Sequence, residues 1–284
     1  QEYKKTSANF SKIISFLTTL LTLVFFLIDG FKFLDIYART FTNNSILIAL
    51  IFFGIIILGS TFLSIPTSYY NTFVIEEKFG FNKSSKKIFW IDKIKGLFIT
   101  MILGGGILAL VIWFYQLIGS NSWIYLWGLV TIFSLFINMF YAKLIVPIFN
   151  KQSPLEEGEL KSAIEMYAQK VGFTINNIFI IDGSKRSTKA NAYFSGFGSQ
   201  KRITLYDTLI NDLETDEIVA VLAHEVGHYK RKHIIFNLIS SVLLTGLTLY
   251  ILSLFINSPI LSEALGVSRP SFHIGLIAFG ILYS

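Results

Sequence analysis

The chain has 284 residues, 53% of them hydrophobic and 15% charged, with a mean hydropathy of +0.60 and a formal net charge of +6. Phe occurs 28 times and Cys not at all. So much apolar surface excludes an exterior that faces only water, and the lack of cysteine excludes a disulfide framework, a thiolate metal site and a cysteine nucleophile.

In chain order, long apolar segments fall at about 13–28, 46–65, 97–118, 123–149 and 234–256, and a sixth begins near 272. A bilayer span needs about 20 mainly apolar residues, so the first segment is marginal and the next four are strong. Gly104-Gly105-Gly106 in the third would break a soluble helix, whereas small residues in a membrane permit close helix packing. The chain opens on Gln1 with no secretory pattern, and Ser284 falls inside the apolar run from Phe272, so further sequence is expected at both ends.

Basic residues predict the topology. With alternate connections on opposite sides, 21 of the 24 Lys and Arg residues share one side, including six in the 66–96 loop and twelve from Lys143 to Lys232. Only Lys32, Arg39 and Arg269 fall on the other. Basic loops stay in the cytoplasm, which orients the polar region at 150–233 toward it. The positive charge is thereby explained without a nucleic-acid partner, and none is expected.

Within 150–233, Pro154 precedes a helix whose Leu160, Ile164, Tyr167, Ala168 and Val171 follow helical spacing, and Gly172 closes it. Asn177–Asp182 reads as a short buried strand. Ala190–Phe197 and Arg202–Tyr206 flank Gly198-Ser199-Gln200, a hairpin turn pattern. Thr215 reads as an N-cap, with Asp216 and Glu217 in the first turn, where the helix dipole favours acids. The fold class predicted is a multi-pass α-helical membrane protein with a small α+β domain inserted between transmembrane helices. Its parts are transmembrane helices and the 66–96 loop over 1–149, the cytoplasmic domain over 150–233, and further transmembrane helices over 234–284.

His224-Glu225-Val226-Gly227-His228 is an H-E-x-x-H motif, and it makes the small α+β domain inserted between transmembrane helices a predicted zinc-metallopeptidase domain. With only four His and eleven Glu in the chain, a chance match is expected roughly 0.002 times. At 100° per residue the two histidines diverge by about 40° around a helix, so both reach one Zn²⁺. Glu225, about 100° from His224, is better placed to act as general base on zinc-activated water than to coordinate. His233 lies about 180° from His224 on a continuous helix, and Tyr229–His233 does not fit the metzincin extension, so it is not assigned as a ligand. A catalytic zinc takes three protein ligands; Glu263 lies on the wrong predicted side, and the third ligand is expected outside this chain. The contrasting possibility is a non-catalytic membrane scaffold or lipid-binding protein with a structural zinc, which would need four protein ligands. A transporter is disfavoured because the spans carry few charged residues.

Beyond the motif, the chain resembles the type I CAAX prenyl proteases, membrane-embedded zinc endopeptidases, over nearly all its length. The likeness is carried by Glu76–Lys83 (EEKFGFNK), by Asp182–Ser187 (DGSKRS) with Asn191–Gly198 (NAYFSGFG), and by Leu222–His228 (LAHEVGH). The resemblance implies seven transmembrane helices around a large chamber and a third zinc ligand that is a glutamate in a later E-x-x-A-D-type segment. It further implies cleavage of peptide or protein substrates at CAAX C-termini, prenylated or not, in the endoplasmic reticulum or, for bacterial relatives, the inner membrane. Asn191–Phe194 would then form an edge strand that binds substrate by β-augmentation, with Asn191, Ala192 and Tyr193 as the substrate-binding residues, and Glu76–Lys83 would pack on the domain rather than act in catalysis.

Overall fold

The computed structural model describes residues 1–172, 177–195, 202–230 and 233–283; within them, the side chains of Ser120, Glu225, 227–230 and 233–235 fall outside the description. In chain order the elements are α1 (Glu2–Leu27), α2 (Gly30–Phe41), α3 (Ser45–Tyr70), α4 (Lys86–Ile99), α5 (Gly105–Ile118), α6 (Trp123–Leu144) and α7 (Val146–Phe149). Then follow β1 (Gln152–Pro154), α8 (Glu159–Lys170), β2 (Asn177–Ile181), β3 (Ala192–Ser195), β4 (Arg202–Tyr206), α9 (Asp207–Asp212) and α10 (Thr215–Lys230). The last are α11 (His233–Phe255), α12 (Pro259–Ala264) and α13 (Phe272–Tyr283).

Among the described residues, five helical stretches are long and apolar enough to cross a membrane: Glu2–Leu27, Ser45–Glu76, Lys86–Ile118, Trp123–Phe149 and Phe236–Phe255. The apolar windows of these stretches are 0–17% buried, and side chains such as Leu27 (85% exposed) and Phe62 (74%) stand out from the protein. Lipid is the medium that satisfies such a surface. Two boundaries differ from the hydropathy reading. The first span begins at Glu2, because its polar opening turns are helical too. The 66–96 stretch, expected as one basic loop, is mostly helix: α3 continues past Pro66 into π-helical turns at Asn71–Glu76, and α4 already starts at Lys86. The Ser64 and Thr67 hydroxyls donate to the carbonyls of Thr61 and Ser64 around the proline, as hydroxyls do when proline disturbs a membrane helix.

The residues group into two compact units. The first comprises Gln1–Ile75, Gly96–Leu129 and Leu244–Ser284. Its core packs Phe31, Leu34 and Ala38 of α2 against Ile48 and Phe52 of α3 and Ile274 of α13. A buried polar pair crosses that core: His273 Nε2 lies 2.7 Å from Asp35 Oδ1, and Arg39 Nε donates to both Asp35 oxygens at 2.9 and 3.0 Å. Gly275 explains how closely α13 approaches, since a Cβ there would sit 1.9 Å from the Ile256 carbonyl oxygen.

The second unit comprises Glu76–Lys95 and Val130–Leu243. Its four-stranded sheet has the order β1-β2-β4-β3, with β2 and β4 parallel and the outer strands antiparallel to their neighbours. Because side chains alternate along a strand, each face has its own partner. Ile178, Ala192, Ile203 and Leu205 pack with Ile164 of α8, Leu209 of α9 and Ile218 and Leu222 of α10. The other face carries Ile181, Tyr193 and Tyr206, which pack on Ala142 and Val146 at the end of the α6–α7 span. The predicted strands at 177–182 and 202–206 and the antiparallel pairing of β3 with β4 agree with the sheet; the Gly198–Gln200 turn lies outside the described residues.

Candidate metal helix and substrate edge

The metal-motif helix α10 begins at Thr215, one residue earlier than an N-cap assignment to Thr215 implies. Glu214 occupies the cap: its carbonyl accepts from Ile218, and Glu217 Oε2 accepts its N–H at 3.0 Å. Those bonds satisfy donors that a helix start leaves open. Ile218, Leu222 and Val226 are each 1–2% exposed and form the buried stripe of the helix. Positions 224 and 228 centre about 140° from that stripe on an ideal helix. His224 is exposed, as a residue turned from the core should be. The side chains of Glu225, His228 and His233 lie outside the described residues.

Two imidazoles one turn apart on the side of a helix away from the core are a donor set that suits zinc, which takes nitrogen ligands. The core does not compete for them, since the apolar stripe lies elsewhere. Among the described residues no three His, Asp or Glu side chains gather to hold a metal.

Helix α10 packs against α8, α9 and β3, and β3 is an edge of the sheet. Tyr206 N–H donates to the Asn191 carbonyl at 3.0 Å, which makes 191 and 206 a hydrogen-bonded pair. Such pairs alternate along an antiparallel ladder. The backbone groups of Tyr193 and Ser195 therefore face β4, and those of Ala192 and Phe194 point away from it. Asn191 Oδ1 accepts the Ala192 N–H at 2.9 Å and so occupies one edge donor. Of the three residues predicted to bind substrate, Ala192 offers the edge, Asn191 caps it, and Tyr193 pairs inward. Phe194, the last residue of the predicted edge segment, lies in β3 in the same outward phase as Ala192. Burial raises the Tyr193 phenol above its ordinary pKa. Its ring, with Tyr141, Phe149, Arg186, Ser195 and Tyr206, lines a cavity of about 640 Å³ on the sheet face opposite α10.

The approach to β3 is held by the 76–95 segment. Arg186 donates from Nε and Nη2 to Asp92 at 2.7 and 2.9 Å, and from Nη2 to the Phe149 carbonyl at 2.7 Å. Lys83 N–H donates to the Arg186 carbonyl, Thr188 N–H to that of Phe81, and Lys189 Nζ pairs with Glu76 at 2.7 Å. Asn82 is buried and donates to Glu77 at 2.7 Å. The Glu76–Lys83 block thus packs on the segment leading into β3.

Membrane-length helices joined to a sheet unit that carries an H-E-x-x-H helix define a multi-pass integral membrane protein of the metallopeptidase class. Two family models match: one described as CAAX prenyl protease N-terminal, five membrane helices, over residues 1–151, and peptidase family M48 over residues 154–281. The chain belongs to the CAAX prenyl protease family within peptidase family M48.

Similar proteins include a CAAX prenyl protease 1 homolog of Arabidopsis thaliana, 42% identical over 84% of this chain and 56% of that protein. CAAX prenyl protease 1 of Saccharomyces cerevisiae is 44% identical over 73% of this chain and 45% of that one. The crystal structure of S. mikatae Ste24p superposes with a TM-score of 0.92 at 35% identity, covering 99% of this chain and 70% of that one. The chain thus spans about half the length of these two curated relatives.

Proposed function

We propose that the protein is a membrane-embedded zinc endopeptidase that cleaves near the C-terminus of CAAX-type peptides, prenylated or not, or of other membrane-associated peptides. His224 and His228 hold Zn²⁺ together with a glutamate from outside residues 1–284. Bound zinc supplies Lewis acidity, polarising the scissile carbonyl and making water more acidic. Glu225 takes the proton of the attacking water and delivers it to the leaving amine.

The observation that carries this reading is the contact between α10 and β3, an edge strand of the sheet. A peptide added along β3 bonds to the outward backbone groups of Ala192, and Asn191 yields the Ala192 N–H when the peptide arrives. Its side chains then alternate between the face of α10 and the 640 Å³ cavity lined by Tyr193 and Ser195. The names of the relatives support the CAAX substrate class. The 21 of 24 basic residues on one predicted side support a cytoplasmic site, and the eukaryotic relatives favour the endoplasmic reticulum over a bacterial membrane.

Glu225→Gln in the full-length protein tests the assignment. Zinc content and folding should match the wild type, while cleavage of a synthetic CAAX peptide falls by roughly 10²-fold or more. Full turnover in that variant would remove Glu225 from the mechanism. A zinc site closed by four protein ligands would instead identify a structural metal.

A further inference from the structure

The sheet face turned away from α10 carries a second cavity that peptide cleavage does not use. It measures about 440 Å³, and Lys143, Lys151, Arg202, Gln152, Phe179 and Met139 are among its lining residues. Three of the described lining side chains are cations and none is a carboxylate. No carboxylate among the described residues pairs with any of the three. Like charges around one cavity repel unless an anion joins them.

Arg202 is held in place rather than loose on the surface. Its Nη2 donates to Gln152 at 2.8 Å and its Nη1 to the Ala142 carbonyl at 3.3 Å. The guanidinium lies 3.8 Å from the centre of the Phe179 ring, and its Nε is buried without a partner. Burial lowers its pKa, a sign that its charge is poorly solvated. A guanidinium fixed by these two bonds keeps a second N–H on each Nη nitrogen and suits a phosphate oxygen.

The location selects the source of that phosphate. Lys143 stands in the last turn of α6, near the end of the apolar span Trp123–Phe149, and Met139 lies one turn deeper. Tyr141, Leu144 and Ile148 beside it are exposed apolar side chains. A molecule with its phosphate at Lys143 could run acyl chains along that surface, whereas a free anion gains nothing from it. We infer that this cavity binds the phosphate of an anionic phospholipid headgroup at the end of the fourth span. The lipid would clamp the end of α6 to strands β1 and β4, because Lys143 lies in the last turn of α6, Lys151 immediately precedes β1 and Arg202 opens β4.

The test compares lipids retained by the full-length protein in native mass spectrometry, with dioleoylphosphatidylserine, dioleoylphosphatidylcholine and inorganic phosphate as probes. Wild type should retain phosphatidylserine in preference to the zwitterionic lipid. Lys143→Ala/Lys151→Ala should weaken that binding roughly thirtyfold, at about fivefold per interfacial cation. Lys143→Arg/Lys151→Arg should preserve it, and so should Lys86→Ala/Lys87→Ala, which removes two exposed cations elsewhere in the same unit. Binding within about threefold of wild type in the double alanine variant, or an equal loss in the Lys86/Lys87 variant, would overturn the site. Inorganic phosphate that binds and is not displaced by phosphatidylserine would assign the cavity to a free anion and overturn the lipid.

Discussion

Arg186→Ala isolates the clamp between the 76–95 segment and the approach to β3. The variant loses two bonds to Asp92 and one to the Phe149 carbonyl. The Arg186 and Asp92 side chains are only 22% and 25% exposed, so water replaces these bonds incompletely. Hydrogen bonds to charged groups contribute about 1.5–3 kcal/mol each; with partial rehydration of Asp92, the three together should cost about 3 kcal/mol. Local opening would then make the amides of Lys83 and Thr188 exchange roughly 150-fold faster, since both donate across the seam. The melting midpoint should fall by about 6–12 °C, at roughly 2–4 °C per kcal/mol. A double-mutant cycle with Asp92→Ala should return a coupling of about 2 kcal/mol. On the peptidase reading, kcat/KM drops while zinc content holds, because 187–191 position the substrate edge. A rise of less than about threefold in exchange at Lys83 and Thr188, or a coupling under about 0.5 kcal/mol, would refute the clamp.

Asp35→Ala should destabilise the first unit by about 3 kcal/mol, because Arg39 and His273 lose a shared carboxylate where the Asp35 and His273 side chains are 5% and 3% exposed. Adding His273→Ala to that variant should cost much less than His273→Ala alone, as read from melting midpoints in detergent. Gly275→Ala puts a methyl group 1.9 Å from a backbone oxygen that cannot rotate away; about 2 kcal/mol or more of lost stability is expected, measured by thermal unfolding. Removing zinc with 1,10-phenanthroline should abolish peptidase activity, and Zn²⁺ should restore it in the wild type but not in His224→Ala.

Local chemistry was legible in the sequence wherever it depends on neighbours along the chain. The H-E-x-x-H spacing marks the candidate metal helix, and the alternation Arg202-Ile203-Thr204-Leu205-Tyr206 marks a strand with one buried face. Hydropathy located the spans but misjudged 66–96, since Lys86 and Lys87 are good helix formers that lower a window average without ending a helix. Sheet order was not legible, because the parallel pairing of Asn177–Ile181 with Arg202–Tyr206 skips over β3 and leaves it as an edge. Nor could Asp92 be matched with Arg186, 94 residues away, or Asp35 with His273, 238 away. Each pair depends on chain crossings that no local period records.

The alternation of β4 ties the proposed peptidase site to the lipid cavity. Ile203 and Leu205 face the core that seats α10, while Arg202 and Tyr206 face the end of the α6–α7 span. A slip of one residue in its register would exchange the two sets, burying the Arg202 guanidinium under the metal helix and turning Leu205 toward Gln152. Burial of a charge without a partner costs far more than any local gain from the slip. The Ser195–Arg202 and Ala192–Leu205 pairings are therefore held from both faces. The Arg202 bonds to the Ala142 carbonyl and Gln152 hold the strand from one side, and the apolar stripe of α10 holds it from the other. The position of the β3 edge against α10 follows from that shared register, so lipid bound on one face of the sheet bears directly on the geometry of the other.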